Sequence, residues 1–343
     1  MLDPALETLL LPFENDSLDV PEGGKVLFLR ARFSPKLKEV FGSALVCQQS
    51  FAPDADILSR AGLELVEAPV EAAEITLVLP PRQKQEARAL LAHAVNTTRD
   101  GGFVVACVSN TEGAKSCEAD LNKLAGLDGK LSKHKCRVFW AAVSRDTLDG
   151  GLLNEWLQLD MPREIEDGRF TSRPGIFSWD HIDPASKLLV SKLPEGLKGR
   201  VADLGAGYGY LSTEILQRCS SLAALDLYEA EKRALDLAAG NIGRLEPKIP
   251  VEFHWADVTR GLKHSYDFVV MNPPFHTGKA DRTDLGQAFI VAASKGLKPG
   301  GSLYMVANRH LPYESTLDRY FESFEIIADE QGYKVIQAKK ARR

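Results

Sequence analysis

The chain has 343 residues, of which 44% are hydrophobic and 26% are charged, and its formal net charge is −5. This length suits two domains, and the apolar fraction is that of ordinary soluble cores. No apolar stretch is long enough to span a bilayer, the first residues lack the pattern of a signal peptide, and the acidic balance gives no general attraction to nucleic acid. We therefore expect a cytoplasmic protein that does not associate with a membrane.

The cysteines and histidines give no sign of a metal site. The five cysteines are scattered, and none forms a Cys-x-x-Cys pair. The seven histidines show no spacing typical of a ligand cluster. These patterns predict neither a zinc site nor a disulfide framework, and we expect no metal.

Four short segments of the first half recur in the same order in the second half. The pairs are residues 24–31 and 199–206, 76–81 and 269–274, 100–105 and 299–304, and 136–141 and 333–338. A constant order of such matches is the mark of an internal duplication. We therefore predict two domains of one fold, residues 1–160 and residues 165–343.

The first copy lacks residues that could carry chemistry in the second. Phe28 stands where the second copy has Asp203, and Leu79 stands where it has Asn272. Arg30 falls within what would be a glycine turn. We expect a degenerate first domain that folds but binds no cofactor, and that serves substrate recognition or stability.

A strand-like segment of the second half runs into a glycine-rich turn. The turn reads Asp-x-Gly-x-Gly-x-Gly, with the acid at Asp203 and the glycines at Gly205, Gly207 and Gly209. Glycines let the backbone approach a ligand closely and adopt positive φ. The dinucleotide fingerprint Gly-x-Gly-x-x-Gly would need a glycine at Tyr210, so a nicotinamide cofactor is not expected.

Two further strand-like segments each end in an acid. An apolar run over residues 222–225 ends at Asp226, and residues 251–256 end at Asp257. An acid at the carboxyl end of the second strand of such folds typically binds ribose hydroxyls. We therefore expect Asp226 to bind a ribose, and both acids to lie at the ligand-binding edge of the sheet.

The most informative motif is Asn-Pro-Pro-Phe at residues 272–275, directly after an apolar strand. Proline fixes φ and lacks an N–H, so the turn is stiff, and Pro273 favours an extended backbone at Asn272. Such a turn can hold the Asn272 side-chain oxygen and the Pro273 carbonyl as two acceptors for the hydrogens of an exocyclic amine. Phe275 offers a flat face on which a planar base or amide can stack.

Strands and helices alternate through the second half. Strands are predicted over residues 201–203, 222–226, 251–254, 268–271 and 302–307, helices over residues 211–218, 229–239 and 285–297, and a final hairpin over residues 324–328 and 333–338. This alternation predicts a mainly parallel sheet with helices on both faces, and hence an α/β protein with two tandem Rossmann-like domains. Ligands bind such sheets at the carboxyl ends of the strands, where the motifs above lie.

The motifs of residues 172–343 together resemble those of class I S-adenosylmethionine-dependent methyltransferases that modify guanine N2 in bacterial ribosomal RNA. The resemblance rests on the glycine turn and on residues 173–178, 272–278 and 306–313. It is specific over this half of the chain and loose before it. Members of that family also carry a degenerate first domain, and the small-subunit 16S type is favoured over its large-subunit relatives.

The resemblance implies a role for each motif residue. S-adenosylmethionine would be held by Asp203, Gly205, Gly207, Gly209, Asp226, Asp257 and Asn272. Guanine would be bound, and the reaction carried, by Asn272, Pro273, Pro274 and Phe275, while Phe177, Ser178, Asp183, Phe275 and His276 would line or cover the site. Two positions depart from the family pattern: Ala206 stands where many relatives have Cys, and Pro-Ala-Ser at residues 184–186 stands where a Gly-Ser or Gly-Ala pair is usual.

Other functions fit some of the same residues. The Asn-Pro-Pro-aromatic turn suits any planar amine, so adenine N6 and the side-chain amide of a protein glutamine are alternative methyl acceptors. A non-enzymatic RNA-binding assembly factor is a further alternative, against which the intact motifs of the second copy argue. The expected partner is ribosomal RNA or a ribosomal subunit, bound by a monomer through basic patches that include residues 334–343 and residues 187–200.

Overall fold

The computed structural model describes residues 3–67, 72–274, 276–277, 280–281 and 283–342, without the side chains of residues 276, 277, 280 and 281. The chain divides into two compact units. The first comprises Met1–Pro162 and Arg173–Gly175, and the second comprises Arg163–Ser172 and Ile176–Arg343. Within the described ranges, no helix is long and apolar enough to cross a bilayer.

The first unit is built on a seven-stranded sheet with helices on both faces. Its strands are β1 (Val26–Leu29), β2 (Leu45–Gln48), β3 (Glu64–Val66), β4 (Ala73–Val78), β5 (Thr98–Ser109), β6 (Gly129–Lys133) and β7 (Cys136–Ala142). Its helices are α1 (Pro4–Leu9), α2 (Leu11–Glu14), α3 (Lys36–Phe41), α4 (Ala52–Arg60), α5 (Lys84–Thr97), α6 (Ala114–Ala125) and α7 (Gly150–Leu157). The strand order is β3-β2-β1-β4-β5-β7-β6, and β7 is antiparallel to both of its neighbours.

The second unit is built on a seven-stranded sheet and two short hairpins. Its strands are β8 (Arg163–Ile165), β9 (Phe170–Ser172), β10 (Lys198–Leu204), β11 (Ser221–Glu229), β12 (Val251–Trp255), β13 (Tyr266–Met271), β14 (His276–Thr277), β15 (Ala280–Asp281), β16 (Leu297–Asn308), β17 (Ser323–Glu330) and β18 (Tyr333–Lys339). Its helices are α8 (Pro184–Lys192), α9 (Tyr210–Arg218), α10 (Lys232–Gly243), α11 (Thr283–Gly296) and α12 (Glu314–Tyr320). The main sheet has the order β12-β11-β10-β13-β16-β18-β17.

The two sheets have the same topology, which confirms the predicted pair of tandem α/β folds. When the seven strands of each sheet are numbered in chain order, both sheets read 3-2-1-4-5-7-6. Phe28 and Asp203 are fully buried at equivalent places on the central strands β1 and β10. After each strand the backbone turns left-handed, with φ of 53° at Arg30 and 75° at Gly205. The first unit thus keeps the shape of the turn but neither its glycine nor the buried acid.

Central strand β1 shows why apolar runs become buried parallel strands. All four of its residues are buried, and its side chains alternate between two cores. Val26 and Phe28 pack beneath α1 to α4, whereas Leu27 and Leu29 pack beneath α5 to α7. Full burial of each such side chain contributes about 1.5–3 kcal/mol to the stability of the fold. In a sheet covered by helices on both faces, every position of the strand makes this contribution.

Two residues of the predicted basic patches are not free to bind RNA. Arg200 donates hydrogen bonds to Asp226 and Glu252. Lys334 is buried, and its ammonium group contacts the Glu314 carboxylate at 2.5 Å. These side chains stabilise the fold, so a basic RNA-binding surface cannot include them.

Candidate active site

The glycine turn lies at the carboxyl end of central strand β10. Gly205, Gly207 and Gly209 all have positive φ, at 75°, 56° and 90°. A side chain at position 209 would also approach the Ala238 Cβ atom to 3.1 Å. Glycine is the residue that adopts such backbone angles without strain, so the turn requires these residues. The turn leads directly into α9 and leaves its backbone open at the edge of the sheet.

Asp203 lies beneath this turn and is fully buried. Its Oδ2 atom accepts a hydrogen bond of 2.7 Å from the Ser212 hydroxyl of α9, which links the strand to the helix. Its Oδ1 atom has no hydrogen-bond partner among the described residues. Burial raises the pKa of Asp203 to about 7. A cationic group bound nearby would favour the carboxylate form.

The position predicted for Asp226 is wrong, because β11 continues for three residues beyond it. Asp226 is buried within the strand, and Arg200 donates to both of its oxygens, at 2.5 and 2.8 Å. The His254 imidazole lies 2.9 Å from Oδ1. These partners satisfy the carboxylate inside the sheet, so it cannot reach a ribose at the sheet edge.

The acid at the carboxyl end of β11 is Glu229. Its carboxylate accepts hydrogen bonds from the backbone N–H groups of Gly207 and Glu231, both at 2.8 Å. Burial raises the pKa of Glu229. Glu229 therefore has the place that the sequence analysis gave to Asp226, beside the glycine turn.

Asp257 lies two residues beyond β12, as expected from the sequence. Its Oδ1 atom accepts hydrogen bonds from the backbone and the hydroxyl of Thr259, at 2.9 and 2.7 Å. Asp257 thereby caps a short 3-10 helix, Val258–Arg260. It is positioned at the carboxyl edge of the sheet, where a nucleotide base could meet it.

Asn272 follows β13 immediately, next to β10 in the sheet. Its side-chain nitrogen donates to Asp183 Oδ2 and to the Ser186 hydroxyl, both at 2.9 Å. Its buried Oδ1 atom has no partner in the part of the chain that the structure describes. An unpaired buried acceptor costs about 1–3 kcal/mol, so a site that keeps one is suited to a ligand that donates a hydrogen bond.

A cleft of about 50 Å³ brings many of the predicted residues together. Phe177, Ser178, Asp183, Ser186, Gly205, Ala206, Gly207, Tyr208, Tyr210, Leu211 and Asn272 line it. Phe177 is 59% exposed, and Ser178 has a left-handed backbone with φ of 47°. The cleft therefore joins the glycine turn to the Asn-Pro-Pro turn in a single site.

Of the other predicted residues that the structure describes, the lining of this cleft does not include Asp203, Gly209, Asp226, Asp257, Pro273 and Pro274. Pro273 is buried and Pro274 is exposed. Phe275 lies outside the described residues, as does the side chain of His276. Glu229 was not predicted from the sequence, and Ser186 was assigned no role. For Ser186 a signal exists, because Asp-Pro before a run of helix-forming residues indicates the helix start that positions this serine.

One group of possible metal ligands occurs in the described residues, at Asp226, Glu252 and His254. Their ligand atoms lie within 4.8 Å of one another. The Arg200 guanidinium donates to both Asp226 and Glu252. Together with the Lys263 ammonium, which lies 2.9 Å from Glu252 Oε2, this cation already neutralises the two acids, so the group is an ion-pair cluster of the sheet.

Comparisons with known proteins agree with this architecture. A family model described as methyltransferase small domain matches residues 167–337. The ribosomal RNA small subunit methyltransferase C proteins of Proteus mirabilis and Serratia proteamaculans are each 29% identical. The alignments cover 81% and 82% of this chain and 80% and 79% of those proteins.

A solved structure shares the fold over nearly the whole chain. It is the 16S rRNA N2 G1207 methyltransferase of T. thermophilus, in complex with AdoMet and guanosine. The TM-score is 0.80 at 24% identity, and the alignment covers 98% of this chain and 92% of that one. The shared fold and the match over residues 167–337 therefore assign the second unit to the methyltransferase small domain family.

Proposed function

We propose that this protein transfers a methyl group from S-adenosylmethionine to the exocyclic N2 amine of a guanosine in 16S ribosomal RNA. The observation that carries the proposal is the buried Oδ1 atom of Asn272, which has no partner among the described residues and lies in a cleft that also contains the glycine turn. The names of the relatives support ribosomal RNA as the substrate class. We further propose that the protein acts as a monomer in the cytoplasm.

The residues at the carboxyl edge of the second sheet fit S-adenosylmethionine. The turn at Gly205 and Gly207 leaves room for a ligand against the backbone. Glu229 would accept hydrogen bonds from the ribose hydroxyls, and Asp257 would meet the adenine amine. The Asp203 oxygen that has no partner within the described ranges suits a cationic group. When bound, the cofactor supplies an electrophilic methyl group on a sulfonium.

The Asn-Pro-Pro turn would prepare the substrate amine for attack. The lone pair of a guanine amine is delocalised into the ring, so the amine is a poor nucleophile. If Asn272 Oδ1 and the Pro273 carbonyl accept its two hydrogens, they favour a pyramidal nitrogen whose lone pair points at the methyl group. Catalysis then comes from positioning and electrostatics. The proton becomes strongly acidic after methylation, so no dedicated base is needed.

Mass mapping of the product tests the proposal against its alternatives. Small-subunit rRNA from a strain that lacks the gene is incubated with the protein and labelled S-adenosylmethionine, then digested to nucleosides. We expect labelled N2-methylguanosine. Labelled N6-methyladenosine, or label on a glutamine of a ribosomal protein, would favour the other amines. A protein that neither binds S-adenosylmethionine nor transfers label would be an assembly factor.

Substitution of Glu229 by glutamine should weaken S-adenosylmethionine binding by about 1–3 kcal/mol, because a charged acceptor for the ribose is lost. Isothermal titration calorimetry measures this change and should give one site per chain for the wild type. Glu195→Gln is the matched control, since the side chain of Glu195 is 81% exposed. Unchanged affinity of Glu229→Gln would contradict the ribose assignment, and two sites per chain would show that the first unit also binds the cofactor.

We propose that the first unit serves substrate recognition and stability. It keeps the fold but lacks the glycines and the buried acid of the second unit. Residues 163–343 alone should therefore still bind S-adenosylmethionine but lose most of their activity on rRNA, because RNA binding needs a broad contact surface. The measurement is methylation of rRNA by the fragment and by the whole chain at matched salt. Equal activity would leave the first unit with a structural role alone.

A further inference from the structure

The side-chain amide of Asn272 has two orientations that differ by half a turn, and only one presents oxygen to the substrate. In the structure both hydrogens of its nitrogen are used, one by Asp183 Oδ2 and one by the Ser186 hydroxyl. The oxygen is left without a partner from the described residues. The amide therefore stands in the orientation that an incoming amine requires.

Asp183 opposes the reverse orientation. A carboxylate accepts hydrogen bonds but does not donate them. Turning the amide would bring Asn272 Oδ1 against Asp183 Oδ2, so that two acceptors would face each other without a proton between them. The same rotation of the Asn272 amide would point its N–H groups toward the cleft, where they would repel the hydrogens of a substrate amine.

The start of α8 holds these two groups in place before any substrate arrives. Asp183 is the N-cap residue, and its Oδ2 atom also accepts the backbone N–H of Ser186 at 2.8 Å. Pro184 occupies the first turn, where its fixed φ suits a helix start. Ser186 is buried. Both partners of the Asn272 amide therefore sit on one rigid helical turn rather than on a loop.

We propose that Asp183 and Ser186 are positioning residues, which fix the Asn272 amide with its oxygen toward the substrate amine. The inference rests on the proposed function, in which Asn272 accepts a hydrogen of that amine. It gives Ser186 a role, and it gives Asp183 a more specific one than lining the cleft.

Steady-state kinetics of three variants test the inference. Asp183→Ala should lower kcat by about 10- to 100-fold, the scale of a lost hydrogen bond to a charged group. Asp183→Asn should restore most of kcat, because its Oδ1 atom can still accept from Asn272 and from the helix end. Ser186→Ala should lower kcat by roughly 3- to 10-fold, since one neutral hydrogen bond is lost. The affinity for S-adenosylmethionine should not change in any of them.

Asp149→Ala is the matched control for the loss of a helix cap, because Asp149 caps α7 through the Leu152 N–H at 2.9 Å. It should cost stability, measured by thermal unfolding, without changing kcat. If Asp183→Ala is far less stable than this control, the kcat of Ser186→Ala tests the inference, because that variant keeps the Asp183 helix cap.

Wild-type kcat in both Asp183→Ala and Ser186→Ala would overturn the inference, because the Asn272 amide would then work equally well without either partner. A wild-type protein that forms no N2-methylguanosine would instead refute the proposed function.

Discussion

Replacing Asn272 with alanine is expected to stop methyl transfer almost completely, while the protein stays folded and still binds S-adenosylmethionine. The expected loss of transition-state stabilisation is about 2.7–4 kcal/mol, as for removal of one positioned polar group at another active site. That loss corresponds to roughly 100- to 1000-fold in kcat. Its cause is the removal of the buried Oδ1 acceptor, whose geometry favours the reactive form of the amine.

Single-turnover methylation of rRNA measures this loss, with calorimetry for cofactor affinity and circular dichroism for the fold. Asn122→Ala provides a control for the same chemical change, because Asn122 is exposed on α6. Turnover by Asn272→Ala close to that of the control would show that another group accepts the amine hydrogens. A parallel loss of cofactor binding would place Asn272 in cofactor binding rather than in substrate binding.

The sequence predicts the elements whose chemistry is local. A run of alternating glycines and a pair of prolines have strong intrinsic backbone preferences, so their turns can be recognised without knowing what surrounds them. The parallel sheet follows from the alternation of apolar strands and helices. For the same reason the duplicated topology is visible in the order of four short segments, although few of their residues are identical.

Asp226 shows where local reasoning fails. The predicted strand ended at its first charged residue, yet β11 continues through Leu227 and Tyr228 to Glu229. The strand can continue because Arg200 neutralises Asp226 inside the sheet. That partner lies 26 residues earlier in the chain. Its proximity follows from the parallel pairing of β10 with β11, which no local pattern specifies.

The role of Ser186 could not be predicted from the sequence, because it too depends on a contact between residues that are far apart in the chain. The residues that start α8 are readable as a helix cap, but the contact with Asn272 joins positions 86 residues apart. Tertiary packing brings the first turn of this helix to the end of β13. Sequence patterns therefore located both the start of α8 and the Asn-Pro-Pro turn. Only the structure shows that residues at the start of α8 hydrogen-bond the Asn272 side chain.

Substitution of Asp226 by alanine should destabilise the second unit by about 3–5 kcal/mol, because it removes a fully buried carboxylate and leaves the partly buried Arg200 guanidinium without its main partner. Arg200 keeps Glu252 at 2.7 Å, which favours the lower end of this range. Denaturant unfolding measures the change. Asp236→Ala is the control: its ion pair with Lys232 is exposed, and we expect a loss of no more than about 0.5 kcal/mol there.

The same variant separates a structural role for Asp226 from a role in cofactor binding. Because the carboxylate is enclosed by Arg200 and His254 inside the sheet, the folded Asp226→Ala protein should bind S-adenosylmethionine as tightly as the wild type. Replacing both Arg200 and Asp226 by leucine should recover much of the lost stability, since neither charge is then buried alone. An Asp226→Ala variant with wild-type stability and weakened cofactor binding would instead show that Asp226, and not Glu229, binds the ribose.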